Sequence, residues 1–123
     1  MKLQLTPGAG LQLFSGYGAG YVAINNVRYE KCVVVTPQEV TEWAVTGFET
    51  LTGADFSFIA ALKPEIVIFG TGAMQRFPQR ELARALAAAG TGVEVMDSRA
   101  ACRTYNILAA ESRKVVAAIL VEK

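Results

Sequence analysis

Glu65-Ile66-Val67-Ile68-Phe69-Gly70-Thr71-Gly72 decides how this chain reads. A continuous apolar run rich in β-branched residues and closed by glycines is the pattern of a strand buried on both faces. Downstream, Pro78 suits the first turn of a helix over residues 79–89, and Gly90 suits its end. Leu82 and Leu86 mark the buried face of that helix, and Arg80 and Arg84 share its wet face. Val93-Glu94-Val95-Met96 reads as the next strand, Asp97 or Ser98 caps a helix to about Ala110, and residues 114–122 read as a last strand. The order from Glu65 is β-α-β-α-β, which favours a parallel or mixed sheet covered by helices.

Upstream the pattern changes to hairpins. Leu11-Gln12-Leu13-Phe14 alternates, and Ser15-Gly16-Tyr17-Gly18-Ala19-Gly20 reads as a break. Tyr21-Val22-Ala23-Ile24 and Val27-Arg28-Tyr29 flank Asn25-Asn26, a two-residue turn signal because Asn tolerates positive φ. Lys31-Cys32-Val33-Val34-Val35-Thr36 is a strand stopped by Pro37, and Thr41-Glu42-Trp43-Ala44-Val45 can form another. Asp55 is placed to N-cap a helix over residues 56–62 that Pro64 ends. Residues 1–123 are therefore read as one α/β (mixed) domain, with antiparallel N-terminal hairpins followed by the β-α-β-α-β half.

Composition supports this. A chain of 123 residues that is 52% hydrophobic and 19% charged can build a core without staples and is too apolar for disorder. A net charge of +1 argues against a general nucleic-acid binder, although six of the seven arginines lie between Arg76 and Arg113. The absence of histidine removes Ser-His-Asp and Cys-His catalysis and the usual zinc ligands, so no metal or cofactor is expected. The two cysteines, Cys32 and Cys102, show no metal spacing and suit a reducing compartment. Residues Met1–Pro7 lack the apolar region of a secretory signal, and the apolar run at 115–121 is too short to span about 30 Å of hydrocarbon. The expectation is a soluble, cytoplasmic protein without membrane insertion.

Two constellations can carry chemistry. Gly70-Thr71-Gly72 follows a strand, where open α/β sheets bind ligands, and its backbone N–H groups can cradle an anion. Asp97 follows the next strand, where a dinucleotide fold places its ribose-binding acid. The third glycine of a G-x-G-x-x-G fingerprint is replaced by Gln75, however, which turns the reading toward a tight structural turn. The second constellation is the helix after Asp97. Its spacing puts Ala101, Tyr105 and Leu108 on one face and Arg99, Arg103 and Asn106 on the other, with Cys102 on the flank. A helix N-terminus and arginines lower a thiol pKa, which makes Cys102 the one candidate nucleophile; the alternative is a packing cysteine. Gly70, Thr71, Gly72, Asp97, Ser98, Arg99, Cys102, Arg103 and Asn106 together form the candidate pocket, with Arg103 as anion clamp and Asp97 as acid/base or helix cap.

The segments Pro64–Gly72 and Gly92-Val93-Glu94-Val95-Met96-Asp97-Ser98-Arg99-Ala100-Ala101-Cys102-Arg103-Thr104-Tyr105-Asn106-Ile107-Leu108 resemble the small MTH-type domain family of unknown function. The resemblance runs from about Leu11 to Leu120. Eukaryotic members of that family include a mitochondrial complex I assembly factor and an adipogenesis-associated protein. It implies a compact domain with a hammerhead-like hairpin region, no established catalytic residues, and for the mitochondrial members a helper role in complex I assembly. The first expectation is therefore a non-enzymatic binding or assembly module with a protein partner, homo-oligomerisation being compatible with it. The alternative is a small-molecule or anion-binding enzyme with a pocket between the Gly70–Gly72 turn and the helix at 97–106.

Overall fold

In the computed structural model, residues 10–122 are described. The reading of Met1–Pro7 falls outside the described residues. Strands β1 (Phe14–Gly18), β2 (Tyr21–Ile24) and β3 (Val27–Tyr29) form a three-stranded antiparallel sheet. Asn25 and Asn26 have φ of 48° and 69°, the left-handed pair that a two-residue hairpin requires. The expected break at Ser15–Gly20 is corrected: β1 runs through it to Gly18. Register shifts between Phe14 and Gly16, so the first glycine sits at a bulge rather than ending the strand. A Cβ on Gly18 would collide with the ring of Tyr21 directly opposite, so this glycine makes room for a cross-strand aromatic.

The second sheet has five strands in the order β5-β4-β8-β6-β7, namely Val40–Glu42, Val33–Val35, Val115–Ile119, Ile66–Gly70 and Gly92–Met96. β6 runs parallel to both β7 and β8, while β4 is antiparallel to β5 and β8. β8 lies in the middle and every one of its residues is buried, which explains its unbroken apolar sequence. Side chains alternate across the sheet. Val33, Val35, Ile68, Ala117 and Ile119 join one core; Val34, Val67, Phe69, Val116 and Ala118 join the other.

The first core lies under α3 (Ser98–Ala110) and the three-stranded sheet, where Tyr105 meets Phe14 edge to face at 5.4 Å. The second lies under α1 (Gly53–Ala60) and α2 (Arg84–Ala88), where Trp43, Phe56 and Phe69 pack mutually edge to face at 5.4–6.1 Å. α1 begins earlier than the sequence suggests. Thr52 is the cap and Asp55 stands at the third helical position, its carboxylate accepting the Thr52 N–H at 2.8 Å in a capping box. The single helix expected over residues 79–89 is instead a 3₁₀ turn, Arg80–Ala83, leading into the short α2. Only Leu86 of its apolar face is fully buried, too little packing to hold a longer helix. Among the described residues, no helix is long and apolar enough to cross a membrane.

Candidate functional site

The carboxyl ends of β6, β7 and β8 meet at one edge, and α3 starts there. Gly70 lets the helix approach: a Cβ at Gly70 would lie 2.9 Å from Ser98 Cα and 3.0 Å from Ala101 Cβ. Ser98 then binds three elements together. Its N–H donates to Gly72 O at 2.8 Å, its Oγ accepts the Gly72 N–H at 2.8 Å, and its hydroxyl donates to Leu120 O at 2.8 Å. Asp97 is the N-cap of α3, accepting the Ala100 N–H at 2.9 Å through Oδ1.

Thr71, fully buried, organises the turn that follows. Its N–H donates to Met96 O at 2.9 Å, its hydroxyl donates to Met74 O at 2.6 Å, and its Oγ1 accepts the Arg76 N–H at 3.0 Å. Arg76 closes the turn through Nη2, which donates to Thr71 O at 2.6 Å and to both carboxylate oxygens of Glu122 at 2.8 and 2.7 Å. Its guanidinium also lies 4.7 Å over the Phe48 ring. The backbone N–H groups of Thr71 and Gly72 are thus spent inside the protein, as are those of Ser98 and Ala100 at the start of α3. The anion cradle expected from the glycine turn is occupied by the fold's own carbonyl and hydroxyl oxygens.

A cavity of about 350 Å³ opens beside this junction. Of the residues grouped from sequence, Gly72, Ser98 and Arg99 line it; Gly70, Thr71, Asp97, Cys102, Arg103 and Asn106 do not. The opposite wall comes from the β1–β2 turn, Tyr17 to Val22, which sequence reasoning left out. Arg103 Nη1 donates to the Tyr17 hydroxyl at 2.9 Å, and the Arg99 guanidinium lies 5.6 Å from the centre of the same ring. Two arginines one helical turn apart therefore converge on Tyr17 at the cavity.

Cys102 and Asn106 have other roles. Cys102 is 1% exposed, and burial pushes its thiol up to about 12, opposite in direction to the lowering expected from the helix N-terminus. Arg103 acts to lower it, but desolvation is the larger effect. Cys32 is also buried, burial raises its thiol pKa, and its Sγ accepts the Val121 N–H at 3.3 Å; both cysteines are free thiols. Asn106 does not share the wet face of α3: it bonds to both backbone groups of Phe14. Among the described residues, no three His, Cys, Asp or Glu side chains are grouped to hold a metal.

Two other surfaces stand out. A wider hollow of about 750 Å³ lies by Cys32 and Trp43, but the Lys31 and Glu42 side chains on its wall are already paired with each other at 3.3 Å. More unusual is the segment after Thr71, where Met74 and Phe77 are 69% and 71% exposed. It is braced by the Thr71 and Arg76 bonds and by Gln75 Nε2, which donates to Val95 O at 2.8 Å.

Comparison with known proteins places this geometry. The chain is 31% identical over 109 residues to the "13 kDa major membrane protein" of Francisella tularensis, covering 87% of this chain and 89% of that one. It is 36% identical over 103 residues to the bovine (Bos taurus) "NADH dehydrogenase [ubiquinone] 1 alpha subcomplex assembly factor 3", covering 82% of this chain and 55% of the relative, about half its length. The solution structure of a Bordetella pertussis Mth938-like domain superposes with a TM-score of 0.83 at 34% identity, covering 99% of this chain and 93% of that one. Residues 14–120 match the model of the family described as "Protein of unknown function (DUF498/DUF598)", and the chain belongs to that family of Mth938-like domains.

Proposed function

We propose that this protein is a non-enzymatic assembly-type module that acts in the cytoplasm, holding a protein partner during construction of an NADH dehydrogenase complex. The relatives named as assembly factors supply the partner class. The observation that carries the reading is the braced segment bearing Met74 and Phe77. Leaving a large apolar side chain in water forgoes about 1.5–3 kcal/mol of burial. A floppy segment would fold such side chains back; this one is fixed at Thr71, Gln75 and Arg76, which presents them outward. Preorganisation of that kind lowers the ordering cost of binding a partner.

The test is complementation. A host strain lacking its own copy of the gene is expected to contain less assembled NADH dehydrogenase on native gels, and the wild-type gene to restore it. A Met74→Ser/Phe77→Ser double variant is expected to melt like the wild type and fail to restore assembly. Normal complex levels in the deletion strain, or full rescue by the double variant, would overturn the reading.

A further inference from the structure

We propose that the cavity between the β1–β2 turn and the start of α3 is a binding site for a small organic anion, a carboxylate or phosphate monoester carrying an apolar body. Three observations combine. First, size: about 350 Å³ equals the liquid volume of roughly a dozen waters at ~30 Å³ each, far more than a bare inorganic anion fills. It falls at the small end of ordinary ligand pockets, about 300–1,000 Å³.

Second, charge: among the described residues neither Arg99 nor Arg103 is in an ion pair, whereas Arg28, Arg76 and Arg113 each hold a carboxylate. Glu122, which reaches the cavity wall, is held through both oxygens by Arg76, and Asp97 is engaged as the cap of α3. The cationic group on the cavity lining that holds no carboxylate is Arg99, with Arg103 held beside it on the Tyr17 hydroxyl, and a planar guanidinium suits a carboxylate or phosphate.

Third, shape and polarity: Tyr17 and Tyr21, both half-buried, line the cavity and offer ring surface for the body of the ligand. Gly18, Gly20 and Gly72 keep the walls free of side chains; Gly20 and Gly72 have φ of 78° and 95°, which glycine adopts without strain. The anion is recognised by the Arg99 guanidinium, not by the glycine turn, whose N–H groups are spent. This site is separate from Met74 and Phe77, so its failure leaves the assembly reading untouched.

Titration of the ¹⁵N-labelled protein with four probes tests the proposal: phenyl phosphate, benzoate, inorganic phosphate and benzyl alcohol. Phenyl phosphate, benzoate or both are expected to move the amides of Gly18, Gly20, Gly72 and Ala73 saturably, and the tighter of the two identifies the charged group. Arg99→Ala is expected to weaken that binding about tenfold, the usual worth of one charge-assisted contact, with the rest of the spectrum unchanged. Absence of saturable shifts with either organic anion would overturn the proposal. So would inorganic phosphate or benzyl alcohol binding as tightly as the organic anions, or Arg99→Ala changing affinity less than threefold.

Discussion

Asn106 holds Phe14 by both of its backbone groups: Oδ1 accepts the Phe14 N–H at 2.9 Å and Nδ2 donates to the Phe14 carbonyl at 2.8 Å. The side-chain amide imitates the next strand of the sheet. It docks the start of β1 onto α3 across a sequence separation of 92 residues. Together with the Arg103–Tyr17 bond, it fixes the hairpin that forms one wall of the cavity.

Asn106→Ala leaves a part-buried donor and acceptor unpaired, so it should cost about 2 kcal/mol of stability, within the 1–3 kcal/mol expected for each such group. Urea unfolding checks the loss, and amide exchange should show β1 and β2 losing protection before the five-stranded sheet. Asn106→Asp keeps the acceptor but turns a second oxygen toward the Phe14 carbonyl, so it should not rescue. An alanine variant as stable as wild type would contradict this account of the dock.

Gly72 has φ of 95°, and a Cβ there would run into the Glu122 carboxylate that Arg76 grips. Gly72→Ala should cost about 1–3 kcal/mol through backbone strain and displacement of that pair. Arg76→Lys should loosen residues 72–79, because an ammonium cannot also stack on Phe48 while spanning Thr71 O and both Glu122 oxygens. Backbone ¹⁵N relaxation reads the loosening directly; rigid amides at Met74 and Phe77 in the lysine variant would refute it.

Alkaline pH should destabilise the fold before most of its charges change. Burial raises the pKa of the Cys102 thiol to about 12 and also raises those of Cys32 and the Tyr105 hydroxyl, which donates to Gln12 O at 2.9 Å. In the unfolded chain these groups lose protons at their ordinary pKa values, so above about pH 8.5 the unfolded state binds fewer protons than the native one. Stability is fully present below that pH and falls as pH rises toward 12. Urea midpoints from pH 7 to 10.5 should fall, and Cys102→Ala should fall less steeply. Native Cys102 should also react with iodoacetamide far more slowly than a free thiol; equal rates would contradict its burial.

Much of this architecture is legible in the chain because it is local. Asn25-Asn26 announces its hairpin through conformational tolerance, and Ile66–Phe69 announces a buried strand through an unbroken apolar run. Of Asp97 and Ser98, the two caps the sequence allows, Asp97 takes the role, and the signal is local because capping needs only the next few residues. The errors share a cause. Gly16 and Gly18 look like breakers until the bulge at Gly16 and the Tyr21 ring opposite Gly18 are seen. Pro78 begins a helix by its own preference, but the packing under residues 79–89 supports only one α-turn beyond the 3₁₀ segment. At the cavity, Gly72, Ser98 and Arg99 are legible from the topological edge, whereas Tyr17 is not. Nothing near Tyr17 in the chain records that two arginines more than eighty residues later will meet its ring.

The central place of β8 has a consequence for synthesis. Among the described residues, β8 is the last strand to leave the ribosome and the only link between the β4–β5 pair and the β6–β7 pair. Until Val115–Ile119 emerges, the nascent chain holds two separate two-stranded ribbons, each with a hydrophobic edge awaiting a partner. Two-stranded ribbons of that kind are marginal in water. Most of the sheet is therefore completed in one late step, and each ribbon, once formed, stays open to mispairing until that step.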